Sequence, residues 1–146
     1  VLVVLDSGPL GLLANPTQSG PARAAWEWAR STLGRGDELV VPEIADYEVR
    51  RELVRAAKGH AVERLDELCE GLTYQPITTS TMREAAALWA DARNSGAATA
   101  HDLALDGDVI LAAQACELAE RGSVVVATTN VKHLARYVDA RVWHDV

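Results

Sequence analysis

The chain opens with an apolar run, Leu2 to Leu5, stopped by Asp6-Ser7-Gly8-Pro9. Apolar, partly β-branched residues closed by turn formers predict a buried strand. Leu39-Val40-Val41, stopped by Pro42, and Val124-Val125-Val126-Ala127, followed by Thr128-Thr129-Asn130, have the same character. Thr73 to Ile77 and Arg141 to Trp143 predict two shorter strands. Between these runs, apolar residues recur at helical spacing. Ser7 suits the cap of a short helix through Leu13, which Pro16 closes off. Pro21 suits the start of a second helix, carrying Ala22, Ala25, Trp26, Ala29 and Leu33 inward and ended by Gly34 or Gly36. A third runs from about Ile44 to Lys58, with Val49, Leu53 and Ala56 as its apolar stripe. Glu48, Arg51, Glu52 and Arg55 share another of its faces, and Gly59 breaks it before a helix from Ala61 to Cys69. Thr81-Met82-Arg83-Glu84 has capping-box spacing and opens a helix to about Arg93. Asn94 to Ala100 reads as a loop. Asp106-Gly107-Asp108 leads into an apolar helix from Val109 to the region of Arg121-Gly122, and Val131 to Tyr137 is a last short helix.

Strands and helices alternate throughout, and the strand runs are uniformly apolar. That pattern predicts an α/β fold: a mostly parallel central sheet with helices on both faces. With 146 residues and no repeat, linker or low-complexity stretch, residues 1–146 form one domain around one core.

Composition narrows the picture little: 49% hydrophobic and 24% charged residues are ordinary for a soluble globular chain. The longest apolar run is far below the roughly 20 residues of a membrane span. No basic segment precedes an apolar one, so Val1 to Leu5 reads as a strand rather than part of a signal peptide. Cys69 and Cys116 suit neither a disulfide framework nor a zinc site, and point to reduced thiols in a cytoplasmic protein. His60, His101, His133 and His144 show no metal-ligand spacing, so surface or capping roles are expected. A net charge of −7 argues against broad nonspecific nucleic-acid binding, but leaves room for an enzyme with one local basic patch. Arg50, Arg51, Arg55 and Lys58 are the densest such patch; they read either as a solvated helix face or as a phosphate-steering surface.

In an open parallel sheet, ligands bind outside the carboxyl ends of the strands. Asp6 stands at one such end, and Thr128, Thr129 and Asn130 at another. The helix bearing Glu48 follows the second strand. Asp108 joins them if the start of its helix faces the same edge. Carboxylates gathered in one cleft repel and must share a proton or bind a cation, and oxygen donors suit hard ions such as Mg²⁺ or Mn²⁺.

At these positions the sequence resembles the PIN-domain family of metal-dependent ribonucleases, and within it the VapC-like toxins of bacterial type II toxin–antitoxin pairs. The matching stretches are Leu5-Asp6-Ser7-Gly8, Pro42-Glu43-Ile44 through Glu48 to Arg51, Asp108-Val109-Ile110-Leu111-Ala112-Ala113, and Thr128-Thr129-Asn130-Val131-Lys132-His133-Leu134. The resemblance implies a three-layer α/β/α PIN-like fold. It makes Asp6 and Asp108 the metal ligands and, with Glu48, the catalytic residues. Glu48 binds the metal through water or helps activate the attacking water, and Mg²⁺, or Mn²⁺, supports hydrolysis of RNA. Thr128 and Asn130 line the site. The family often has an acidic residue near the position of Asn130; Asp106 is placed to compensate. A homodimer and a small antitoxin protein are the implied partners.

The competing readings are specific. Asp6 alone is a capping residue, Asp108 an ordinary charge at a helix N-terminus, and Glu48 a salt-bridge partner of Arg51, with Glu43 and Glu52 as rivals for its role. A PIN-like RNA-binding or protein-interaction module with a weakened site is the alternative function. A phosphoacceptor receiver domain needs an Asp ending a central strand, where Thr78-Thr79 stands. A haloacid-type phosphatase needs a second Asp where Gly8 stands.

Overall fold

The computed structural model describes residues 1–17, 20–96 and 102–146, with backbone alone for 102–105. Five strands appear among them: β1 (Leu2–Leu5), β2 (Glu38–Pro42), β3 (Thr73–Gln75), β4 (Val124–Thr128) and β5 (Ala140–Val142). All neighbouring pairs are parallel, in the order β3-β2-β1-β4-β5. The helices are α1 (Ser7–Ala14), α2 (Gly20–Gly34), α3 (Glu43–Arg55), α4 (Gly59–Gly71), α5 (Thr79–Asn94), α6 (Asp102–Leu118) and α7 (Val131–Leu134).

Period-two alternation along β1 separates the two faces. Val3 and Leu5 pack with Leu10 and Leu13 of α1, Ala25 and Trp28 of α2, Val49 of α3 and Leu65 of α4. Leu2 and Val4 pack on the other face with Leu111 and Ala115 of α6 and Leu134 of α7. Helix α5 lies outside α6, through Ala85, Val109 and Ala113. The expected three-layer α/β/α PIN-like fold is the one observed. No helix among the described residues is long and apolar enough to cross a membrane. Cys69 and Cys116 are free and half-buried, and burial pushes the Cys69 thiol up to about 11.

Four local expectations need correction. Helix α2 is rotated from the predicted face: Trp28 and Thr32 are buried, while Leu33 is 46% exposed. Thr32 tolerates burial because its hydroxyl donates to the Trp28 carbonyl at 2.9 Å. The capping box opening α5 is Thr78 with Thr81, not Thr81 with Glu84. Thr81 is fully buried and its hydroxyl also reaches Glu117 of α6, so burial selected the cap. The break after α3 falls at Ala57 rather than Gly59. Ala57 adopts φ 53° and closes a Schellman motif, with the Lys58 amide donating to Leu53 O and the Ala57 amide to Val54 O.

The fourth correction positions the site. Asp106-Gly107-Asp108 is not the entry to α6 but lies inside it, because the helix begins at Asp102. The loop expected over Asn94 to Ala100 falls largely outside the described residues: α5 runs through Asn94, and 97–101 are not described.

Candidate active site

Strand β1 continues through α1 and α2 to β2 on one side, while β4 pairs with its other edge. The strand order therefore reverses between β1 and β4, which opens a crevice at their carboxyl ends. Asp6 stands there. Its backbone amide extends the ladder to Ala127 O at 3.0 Å. Its Oδ1 caps α1 by accepting the Ser7 amide at 2.7 Å. Its Oδ2 accepts the Thr128 hydroxyl at 2.6 Å. The cap at this terminus is thus Asp6, not Ser7, and the same carboxylate is tied to β4 across the crevice.

Thr128 is fully buried and also accepts the Asn130 amide at 3.0 Å, which folds the turn between β4 and α7. That turn packs tightly on α1. A Cβ on Gly8 would stand 2.7 Å from both Oγ1 and Cγ2 of Thr129. Glycine at position 8 lets the two loops meet.

Glu48 comes from α3, which starts at the carboxyl end of β2. Its carboxylate lies against Gly107 of α6, where a Cβ would come within 3.2 Å of Oε2. Gly107 therefore serves close packing inside a helix, not a turn. Its rivals are engaged elsewhere: Glu43 accepts the Ile77 amide at 2.9 Å, and Glu52 pairs with Arg55. Arg51 approaches Glu48 only to 3.9 Å and lies over the Tyr47 ring. In the expected basic patch, Arg50 is held by Asp46 and Asp66 and Arg55 by Glu52, so most of its charge is already answered.

Asp108 sits in the second turn of α6, one residue beyond the glycine that receives Glu48. Its Oδ2 is buried and accepts no hydrogen bond. The imidazole Nδ1 of His133 lies 3.3 Å away, within ion-pair range. Burial raises the carboxyl of Asp108 above its ordinary value, and the charge of Asp6 adds to that; His133 and Arg136 oppose it. Burial likewise raises Glu48, reinforced by Asp6 and Asp108 and opposed by Arg51. Asp6, Glu48 and Asp108 thus feel one another's charge in a single cleft.

Two residues expected to line the site behave differently. Asp106 is exposed and faces a groove between α5 and α6 with Met82, Ala85, Trp89 and Val109, because two residues along a helix turn a side chain to nearly the opposite face. It is not brought to the cluster. Asn130 is at the rim, exposed, and its side chain makes no capping bond to α7. His133 was missed as a site residue because its partner lies on another element. Its place three residues into the stretch after Asn130 was the available signal.

The donor set suits a hard cation. Among the described residues, no group of three or more His, Cys, Asp or Glu side chains is placed to hold a metal ion. A magnesium site does not need one, since Mg²⁺ keeps several waters and takes one or two carboxylates. The buried Oδ2 of Asp108, which accepts no hydrogen bond, and the raised carboxyls of Asp108 and Glu48 fit a cleft able to take a cation.

The fold is a three-layer α/β/α sandwich with acidic residues at its strand-order reversal. Solved structures share that fold. VapBC2 from Rickettsia felis, bound to a DNA fragment from its promoter, matches with TM-score 0.70 at 14% identity, over 97% of this chain and 98% of that one. FitAcB from Neisseria gonorrhoeae matches at 0.66 and 18% identity, over 94% and 95%. VapBC-1 from nontypeable Haemophilus influenzae matches at 0.64 and 18% identity, over 98% of both. No family model and no curated protein matches the sequence.

Proposed function

We propose that this protein is a Mg²⁺-dependent endoribonuclease, cytoplasmic, and the toxin of a toxin–antitoxin pair. The observation that carries the reading is the gathering of Asp6, Glu48 and Asp108 close enough to feel one another's charge, with a buried Asp108 oxygen that accepts no hydrogen bond. The fold shared with VapBC structures over nearly the whole chain supports the toxin assignment.

Asp6 and Asp108 would hold the metal; Mn²⁺ has the same donor preferences. Bound there, the ion supplies charge neutralisation at the phosphodiester and lowers the pKa of water. The chain does the rest. Thr128 and the α1 terminus fix the Asp6 carboxylate. Glu48, raised by burial and by two neighbouring carboxylates, is suited to take the proton of the attacking water. An antitoxin and a second copy of the chain are the implied partners. Two surfaces offer apolar area to them: a cleft of about 260 Å³ between α2 and α4, lined by Leu13, Trp26 and Leu68, and the α5–α6 groove around Met82 and Trp89.

The test is cleavage of single-stranded RNA by the purified protein with Mg²⁺ and with excess EDTA. Cleavage confined to the Mg²⁺ arm is expected, and cleavage persisting in EDTA would sink the mechanism. RNA binding without turnover or metal dependence would instead favour a non-catalytic PIN-like module, the reading that neutral Asn130 leaves in view.

Gly107→Ala separates site geometry from folding. A mid-helix Gly→Ala change gains up to about 1 kcal/mol from helix propensity. The added methyl crowds the Glu48 carboxylate. We expect unchanged or higher thermal stability with cleavage lowered about tenfold, roughly 1.4 kcal/mol of barrier. Full activity in this variant would mean that the position of Glu48 against α6 is irrelevant to the reaction.

A further inference from the structure

The segment from Thr128 to His133 touches both carboxylates assigned to the metal. Thr128 donates to Asp6 Oδ2 at one end. At the other end His133 Nδ1 stands 3.3 Å from Asp108 Oδ2. We propose that His133 is a positioning residue that sets the Asp108 carboxylate for metal binding, so that one turn, folded by the Thr128–Asn130 hydrogen bond, aligns both halves of the site. This rests on the metal-site reading above.

Asp108 lies mid-helix, so no free backbone amide of a helix end is there to orient it, as the Ser7 amide orients Asp6. Its Oδ2 is enclosed and accepts no hydrogen bond from the rest of the fold. The imidazole, 3.3 Å from that oxygen, is a group that can select among its rotamers, in the field that Arg136 also contributes to. Partners of this kind behind a ligating carboxylate matter: removing one typically costs 10–100-fold in metal affinity. His133 is itself well exposed, with 43% of its side chain accessible, on a helix of four residues. Truncating it removes little core packing.

The chemistry sets a geometric test. The amide nitrogen of Asn stands the same number of bonds from Cβ as imidazole Nδ1; that of Gln stands one bond further. Mn²⁺ binding to the full chain, measured by calorimetry alongside circular-dichroism melting, gives a readout independent of RNA cleavage. We expect His133→Ala to weaken Mn²⁺ binding 10–100-fold with an unchanged melting curve. His133→Asn should restore affinity to within a few-fold of wild type, and His133→Gln should not. Wild-type affinity in a folded His133→Ala variant overturns the positioning role alone. Equal loss in the Asn and Ala variants also overturns it. Absence of Mn²⁺ binding by the wild type overturns the metal-site reading and the inference with it.

Discussion

Asp6→Asn is expected to lower Mg²⁺-dependent RNA cleavage about 10³-fold, some 4 kcal/mol of barrier, while leaving the protein folded. The two halves of that expectation come from different atoms. Asn caps helices as well as Asp, so its carbonyl oxygen still accepts the Ser7 amide and α1 keeps its first turn. The Asn amide nitrogen takes the place of Oδ2, and the Thr128 hydroxyl need only turn from donor to acceptor. What disappears is the charge. A neutral amide is a poor ligand for a hard cation, and the cleft loses the group that raises both Glu48 and Asp108. Single-turnover cleavage with saturating enzyme gives the rate, and thermal melting checks the fold. A rate within tenfold of wild type would reduce Asp6 to a helix cap. Asp6→Ala is the contrasting variant: it loses the same charge and also the cap, so it should cost about 1 kcal/mol of stability that Asp6→Asn does not.

The sequence alone left two readings of Asp6 open. Capping and metal binding call for the same residue type at the same place. The structure shows the first of them, with Oδ1 accepting the Ser7 amide, and ties Oδ2 to the Thr128 hydroxyl. Strands β1, β2 and β4 were legible because each is buried on both faces and so carries a continuous apolar run. Three such strands at one sheet edge were enough to locate the crevice and to place Asp6 and Thr128 in it.

What was not legible depended on contacts between elements. Asp106-Gly107-Asp108 has the composition of a turn, and a single sequence cannot distinguish a turn glycine from one kept small by a neighbour. Here the neighbour is Glu48, on another helix and far off in the chain. Once the helix runs through Gly107, Asp106 and Asp108 lie on nearly opposite faces, and the packing of Gly107 against Glu48 decides which of them joins the site. The rotation of α2 had a similar origin. Trp26 and Trp28 are both plausible core residues by type, but only Trp28 meets Trp143 from the far end of the chain, with ring centroids 5.5 Å apart. His133 lacked any ligand spacing because its role is toward a carboxylate on another helix.

The gathering of the carboxylates Asp6, Glu48 and Asp108 should cost the metal-free protein stability, and that cost should depend on pH in an unusual direction. Most paired surface carboxylates have lowered pKa values in the native state, as Glu38 does beside Thr73, and lose their contribution as pH falls. Glu48 and Asp108 are raised instead, first by burial. Between the ordinary carboxylate values and their raised ones, the native state binds more protons than the unfolded state. Their contribution is therefore complete below the ordinary values and is lost as pH rises through the raised ones. Once both are ionised, each is partly desolvated and repelled by Asp6, and Glu48 by Asp108 as well. We expect metal-free Asp108→Asn to be more stable than metal-free wild type at pH 7 by about 1 kcal/mol, the scale of a buried group left unsatisfied. The difference should shrink toward zero as pH is lowered through the carboxylate range. Saturating Mg²⁺ at pH 7 should reverse the order, since ligand at about 100 times its Kd adds about 2.7 kcal/mol to the state that binds it. Urea melts of the two proteins with EDTA and with Mg²⁺, at neutral pH and again near pH 4, check all three statements. If the metal-free variant is the less stable one at neutral pH, Asp108 is held by pairing with His133 and not strained by its neighbours, and the cleft has no need of a cation.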